Sequence, residues 1–185
     1  MPYDRTRHHR RSIRLQGYDY GLEGAYFVTL VCKDRVPLFV DPGLRGVADE
    51  AWLWLATQYS HVSLDEYIIM PNHLHGIVVL RDAAEGGSRT APTTPAFPRK
   101  ALGRLVGAFK TVSTKRINQA MGTPGAVVWQ RNYWERVIRN EEEMNRIRQY
   151  IVDNPARWGE DPENPWSRMP ASAATRVGAV REPPQ

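Results

Sequence analysis

The sequence predicts a single α+β domain of the split βαβ, ferredoxin-like type, with an antiparallel sheet, helices on one face and one extra helix at the C-terminal end. Three observations predict it. The segments run strand, helix, strand, strand, helix, strand; only a Pro-Asn pair separates the two middle strands; and 185 residues with 42% hydrophobic content suffice for one good core but not for two full domains.

Residues 25–33 (AYFVTLVCK) are rich in β-branched and aromatic side chains and are bounded by Gly24 and Asp34, which predicts the first strand. Asp41-Pro42 then opens a helix. Proline suits its first turn, and Leu44, Val47, Ala48, Ala51, Trp52 and Leu55 recur at helical spacing as far as Tyr59. Residues 61–70 (HVSLDEYIIM) and 73–81 (HLHGIVVLR) read as a hairpin turned by Pro71-Asn72. Between 83 and 98 periodicity disappears and Gly, Pro, Ser and Thr collect, as expected of a flexible loop within the domain.

A second helix is expected from 99 to about 120. Leu102, Leu105, Val106, Phe109, Val112 and Ile117 form its apolar stripe, with Arg99, Lys100, Arg104, Lys110, Lys115 and Arg116 available for the other side. Residues 127–138 (VVWQRNYWERVI) read as extended, with a break near Arg131-Asn132. The last helix has a marked start, because Asn140 can cap it, Glu143 follows three residues later as in a capping box, and three acids sit at the positive end of its dipole. Pro155 stops it. The organisation is therefore a basic arm (1–16), a folded domain (17–158) and a Pro- and Ala-rich tail (159–185) expected to be disordered.

The single cysteine, Cys32, rules out an intramolecular disulfide. No apolar leader and no run long enough to cross a bilayer is present, so a cytoplasmic protein with no membrane partner is expected. The formal charge is +5, of which +4 falls in residues 1–16, where Arg5, Arg7, Arg10, Arg11 and Arg14 face only Asp4. Such an arm either binds nucleic acid phosphates or is a solvated terminus.

His73 and His75 stand two apart on a strand, so both imidazoles share one face and Leu74 turns to the other. The pair can chelate a metal, but needs a third group to hold it firmly; otherwise the two residues simply end a strand near solvent. Tyr150 and Asn154, four apart on the last helix, present a phenol and an amide together. Tyr150 also borders the stripe of Met144, Ile147 and Ile151, where a half-buried packing role is the simpler reading. Trp129, Tyr133 and Trp134 can stack on unpaired bases or pack in the core, core packing being expected for at least two of them. Arg136 and Arg139 face either DNA or solvent.

Three ordered motifs then coincide: Tyr67-Ile68-Ile69-Met70-Pro71-Asn72-His73-Leu74-His75, Trp129-Gln130-Arg131-Asn132-Tyr133-Trp134-Glu135, and Tyr150-Ile151-Val152-Asp153-Asn154-Pro155. Together with SIRLQGYDY and GAYFVTLVCKDR they make the chain resemble the REP-associated tyrosine transposases, within the wider single-tyrosine HUH transposases, over residues 12–158.

The resemblance implies that His73-Leu74-His75 is the metal-binding HUH motif, that Tyr150 is the nucleophile on a C-terminal catalytic helix, and that Asn154 is the third metal ligand. The wider family often carries Gln at that last position, a longer amide than Asn154. A hard cation, Mg²⁺ or Mn²⁺, is the implied cofactor. The implied reaction nicks and rejoins single-stranded or hairpin DNA through a 5′-phosphotyrosine, with the N-terminal arginines and Arg104, Lys110, Lys115 and Arg116 holding phosphates. Either a monomer or a homodimer in which each tyrosine helix serves the neighbour's site fits the resemblance. Two other functions use the same features: a hairpin-binding protein that no longer cuts, and an RNA-binding module on the same sheet, which would place aromatic rings where His73 and His75 are expected.

Overall fold

The structure, a computed structural model, describes residues 18–81, 101–160 and 164. The arm with Arg5, Arg7, Arg10, Arg11 and Arg14, the loop at 83–98, Arg99 and Lys100, and all but three residues of the tail at 159–185 lie outside the described residues. Strands β1 (Gly24–Val31), β2 (Val62–Met70), β3 (His73–Leu80) and β4 (Trp134–Ile138) alternate with helices α1 (Pro42–Gln58), α2 (Leu102–Met121) and α3 (Glu141–Asp153) as the sequence predicts. The strands form one sheet in the order β2-β3-β1-β4, every neighbouring pair antiparallel. Among the described residues no helix is long and apolar enough to cross a membrane.

Strand alternation sorts the sheet into two faces. Tyr26, Val28 and Leu30 of β1 with Leu74 and Val78 of β3 are buried in the main core, which α1 and α2 complete through Ala48, Ala51, Trp52, Leu55, Leu105, Phe109 and Ile117. Asp41 caps α1, accepting from the Leu44 amide at 2.9 Å, and Pro42 fills the first turn. Trp52 reaches the sheet because β3 carries a glycine there. A Cβ on Gly76 would lie 2.6 Å from Trp52 Cζ2. Helix α2 ends on Gly122, whose φ of +64° is the left-handed conformation that glycine adopts without strain.

Among the described residues, α3 and the 3-10 turn that follows it cover the opposite face. Ala25, Phe27, Ile77 and Ile138 form a second, smaller cluster with Ile151, and Met144 and Ile147 pack against it. Two polar devices anchor the helix. Asn140 Oδ1 accepts from the Glu143 amide at 2.8 Å, and Glu143 Oε2 accepts from the Arg139 amide at 3.0 Å, closing the expected capping box one residue further back. Near the middle, Arg148 grips the Asp65 carboxylate of β2 with Nε and Nη2 at 2.7 and 2.8 Å.

The extended stretch at 127–138 breaks where expected. Residues 128–130 pair with the end of β1 and the residues after it, through Lys33 N to Val128 O (2.7 Å) and Gln130 N to Val31 O (2.9 Å). The chain then leaves the ladder before β4. Lys110 Nζ, on α2, donates to the carbonyls of Gln130 (2.8 Å), Asn132 (3.1 Å) and Arg131 (3.4 Å), drawing them out of line with the sheet.

Candidate metal and nucleophile site

His73 and His75 project from the α3 face of β3, opposite Val31 and Thr29 of β1. Both are buried, at 0% and 5% exposure, so they do not merely end a strand near solvent. Their Nε2 atoms converge to 3.0 Å. Each ring is held from the other side: His73 Nδ1 lies 2.9 Å from Asn72 Oδ1, and His75 Nδ1 lies 2.8 Å from Thr29 Oγ1.

This network decides which nitrogen of His73 faces inward. Asn72 Nδ2 donates to the Arg35 carbonyl at 3.2 Å, which turns its amide oxygen toward His73. An amide oxygen only accepts, so His73 Nδ1 carries a proton and donates to it. Burial first, and then the neighbouring His73, push His75 down to about 3, leaving it neutral at physiological pH. Its partner Thr29 is a hydroxyl that donates or accepts, so His75 adopts either tautomer. With both inner nitrogens unprotonated, two lone pairs would face each other across the 3.0 Å gap. A cation between them relieves that opposition.

The spacing suits such an ion. Two nitrogens about 2.1 Å from a metal and at a right angle to one another stand about 3.0 Å apart. Among the described residues no three His, Cys, Asp or Glu side chains are grouped to hold an ion, so a third ligand drawn from these residues would be an oxygen of another kind. Asn154 fits. It is 4% exposed, and its Oδ1 is buried without a hydrogen-bond partner among the described residues. Although it precedes Pro155, Asn154 keeps helical angles (φ −57°, ψ −42°), and the chain continues as a 3-10 helix, Pro155–Glu160. One turn before it, Tyr150 meets His75; one turn after, the Trp158 ring lies 5.8 Å from that of His73. Asn154 is thus bracketed by contacts to both imidazoles.

Tyr150 Oη lies 3.4 Å from His75 Nε2, and the two rings meet edge to face at 5.3 Å. Tyr150 remains 41% exposed while Ile151 beside it is fully buried, so packing is carried by the isoleucine and the phenol stays accessible. Phenol and imidazoles meet within one chain. Phe27 supports the group from below, 5.4 Å from the His75 ring and 6.0 Å from that of Tyr150.

The basic residues of α2 are elsewhere. That helix covers the far face of the sheet, so Arg104, Lys110, Lys115 and Arg116 are not brought to Tyr150. Lys110 is engaged with its three carbonyls and pushed down to about 8 by burial. Arg116 lies 3.8 Å from Glu50, and Arg104 and Lys115 are exposed. Of the three aromatic candidates, Trp129 is a core residue whose Nε1 donates to Ser113 Oγ at 2.8 Å, and Tyr133 packs against the same core. Trp134, 37% exposed, alone stands at the site, 5.5 Å from Phe27. Arg136 is on the same face, ion-paired with Glu143.

Sequence reasoning missed Thr29, Phe27 and Trp158, and took Asn72 only as a turn residue. Asn72 was within reach, since an asparagine directly before a candidate ligand histidine can serve that ring as well as the turn. Thr29 gave no signal, because 46 residues separate it from His75.

No protein-family model matches the chain. A Haemophilus influenzae protein of unassigned function is 35% identical over 175 residues, covering 86% of this chain and 95% of its own length. Among solved structures, a REP-associated tyrosine transposase bound to a REP hairpin superimposes with a TM-score of 0.54 at 18% identity, over 79% of this chain and 74% of that one. The chain therefore belongs to one family with the Haemophilus influenzae protein, and it has the fold of a REP-associated tyrosine transposase.

Proposed function

We propose that the protein is a metal-dependent, transposase-like enzyme that nicks and rejoins single-stranded or hairpin DNA with Tyr150 as nucleophile. One observation carries the reading: the Tyr150 phenol lies 3.4 Å from the inner nitrogen of His75, which in turn is 3.0 Å from that of His73. A phenol beside a converging pair of imidazoles sets a nucleophile next to two nitrogens able to hold a metal, the parts a phosphodiester transfer from oxygen to oxygen can use. The likeness to a transposase bound to a REP hairpin supports DNA of that form as the partner.

Tyr150 Oη attacks the phosphorus as the bond to the 3′-oxygen breaks, giving a 5′-phosphotyrosine and a free 3′-OH. The phenol gives up its proton to water and the departing oxygen takes one up, so no net proton is consumed. A phenol with an ordinary pKa of about 10 is a weak nucleophile at neutral pH, so the phosphate has to be placed and its charge offset. His73, His75 and Asn154 would hold a divalent ion, Mg²⁺ or Mn²⁺, which when bound supplies that offset. Thr29 and Asn72 orient the two rings, and α3 delivers the phenol. The linkage conserves the bond energy, so a 3′-OH can reverse the step without ATP. Arg104, Lys115 and Arg116 would meet phosphates away from the scissile one.

The test is to incubate the protein with a library of single-stranded DNA and Mn²⁺ and to sequence whatever becomes covalently attached. Attachment that disappears in Tyr150→Phe and falls steeply in His73→Ala and His75→Ala is expected. Hairpin binding with no adduct would replace this reading by that of a binding protein, and a preference for matched RNA hairpins would overturn the DNA assignment.

A further inference from the structure

We infer that the pocket between β4 and α3, beside Tyr150, receives an unpaired nucleobase of the strand being cut, with Trp134 as its stacking surface. The inference rests on the reading of Tyr150 as nucleophile and adds what the site recognises.

The pocket has a volume of about 370 Å³ and is lined by Phe27, His75, Trp134, Arg136, Ile147 and Tyr150, together with Thr29. Register produces it. Thr29 is paired with Trp134 and Phe27 with Arg136, which places all four on the α3 face of β1 and β4. Helix α3 is anchored toward the other edge of the sheet through Arg148 and Asp65 of β2. β4 is the outer strand on the opposite edge, so the space between it and α3 lies at the border of the sheet.

The chemistry of the walls selects the occupant. Phe27 is the floor, edge to face with Trp134 at 5.5 Å and with Tyr150 at 6.0 Å, so one ring bridges the indole and the phenol. Trp134 and Tyr150 expose 37% and 41% of their surface, whereas the neighbouring Trp129 is built into the main core. Two large rings left open on a shared floor form a slot for a flat partner. A phosphodiester at the Tyr150 hydroxyl brings its own base to the adjoining space, whose rim carries Arg136 in its ion pair with Glu143. Stacking tolerates any base, so the pocket grips the strand without dictating its sequence.

The test uses the full chain carrying Tyr150→Phe, without divalent metal, so that binding is read apart from cleavage. Fluorescence anisotropy compares a labelled single-stranded octamer of random sequence with an octamer of the same length that is abasic throughout. Binding to the base-bearing octamer is expected to be tighter by about five- to hundred-fold, the range of one stacked base. Adding Trp134→Leu should erase the difference and Trp134→Phe should keep most of it, with 4-thiothymidine crosslinks mapping to Trp134. Equal affinity for the two octamers, or a difference untouched by Trp134→Leu, overturns the inference. The two ideas fail separately: adducts without base preference sink the pocket and spare the nucleophile, and base preference without adducts does the reverse.

Discussion

Thr29 Oγ1 stands 2.8 Å behind His75 Nδ1, on the far side of the ring from the nitrogen that faces His73. A hydroxyl there lets His75 carry its proton outward when an ion takes the inner nitrogen. Thr29→Val removes this partner without changing shape, so Mn²⁺ affinity should fall about 10- to 100-fold, the usual effect of losing such a support. Thr29→Ser should restore most of it. Titration followed by electron paramagnetic resonance of free Mn²⁺ reads the change, and unaltered binding in Thr29→Val would remove Thr29 from the site.

Asn154 buries an amide oxygen that has no partner among the described residues. An unmatched buried acceptor costs about 1–3 kcal/mol, which an ion would recover. Asn154→Ala should therefore weaken Mn²⁺ binding while lowering the metal-free melting temperature little. A large loss of metal-free stability with unchanged metal affinity would show that the oxygen serves only the fold.

Asp65 and Arg148 make the tether between β2 and α3 sensitive to acid. The Arg148 guanidinium holds the Asp65 carboxyl below its ordinary range. A depressed carboxyl contributes its stability above the unfolded-state value and loses it as pH falls through the lower, folded-state value. Asp65→Asn should thus melt below wild type at pH 7, and the gap should close on acidification below about pH 4. A gap constant from pH 7 to pH 3 would mean that the ion pair contributes nothing specific.

Lys110 and Lys115 lie on the same helix but should behave differently. Lys110→Met removes three carbonyl contacts from a largely buried amine and should destabilise the fold by about 1–3 kcal/mol. Lys115→Gln, on exposed surface, should leave stability alone. If it touches a phosphate, the dependence of log K on log salt for single-stranded DNA should shallow by about 0.7. An unchanged slope would exclude Lys115 from the DNA path.

The helix positions, the hairpin and the break at 131–132 were legible in the sequence because each rests on local signals: proline and asparagine at termini, alternation in strands, periodic apolar residues. The shared face of His73 and His75 was legible for the same reason. Which face α3 would cover was not, since an apolar stripe such as Met144, Ile147 and Ile151 fits any apolar surface. Nor was the fate of Lys110: a lysine in a basic stripe reads as solvated until three carbonyls of a distant loop turn toward it. Trp129 and Trp134 have equal claims on paper, and only register separates them, sending one into the core and leaving the other open.

The apolar seat beneath α3 is separate from the interior that α1 and α2 seal against the sheet. Releasing α3 would wet a handful of side chains and leave Trp52, Phe109 and Leu30 dry. The segment bearing the phenol can therefore part from the body in an opening far cheaper than global unfolding. Amide exchange over Glu141–Asp153 should outpace that of β1 and β3, so the helix that carries Tyr150 opens before the central strands do.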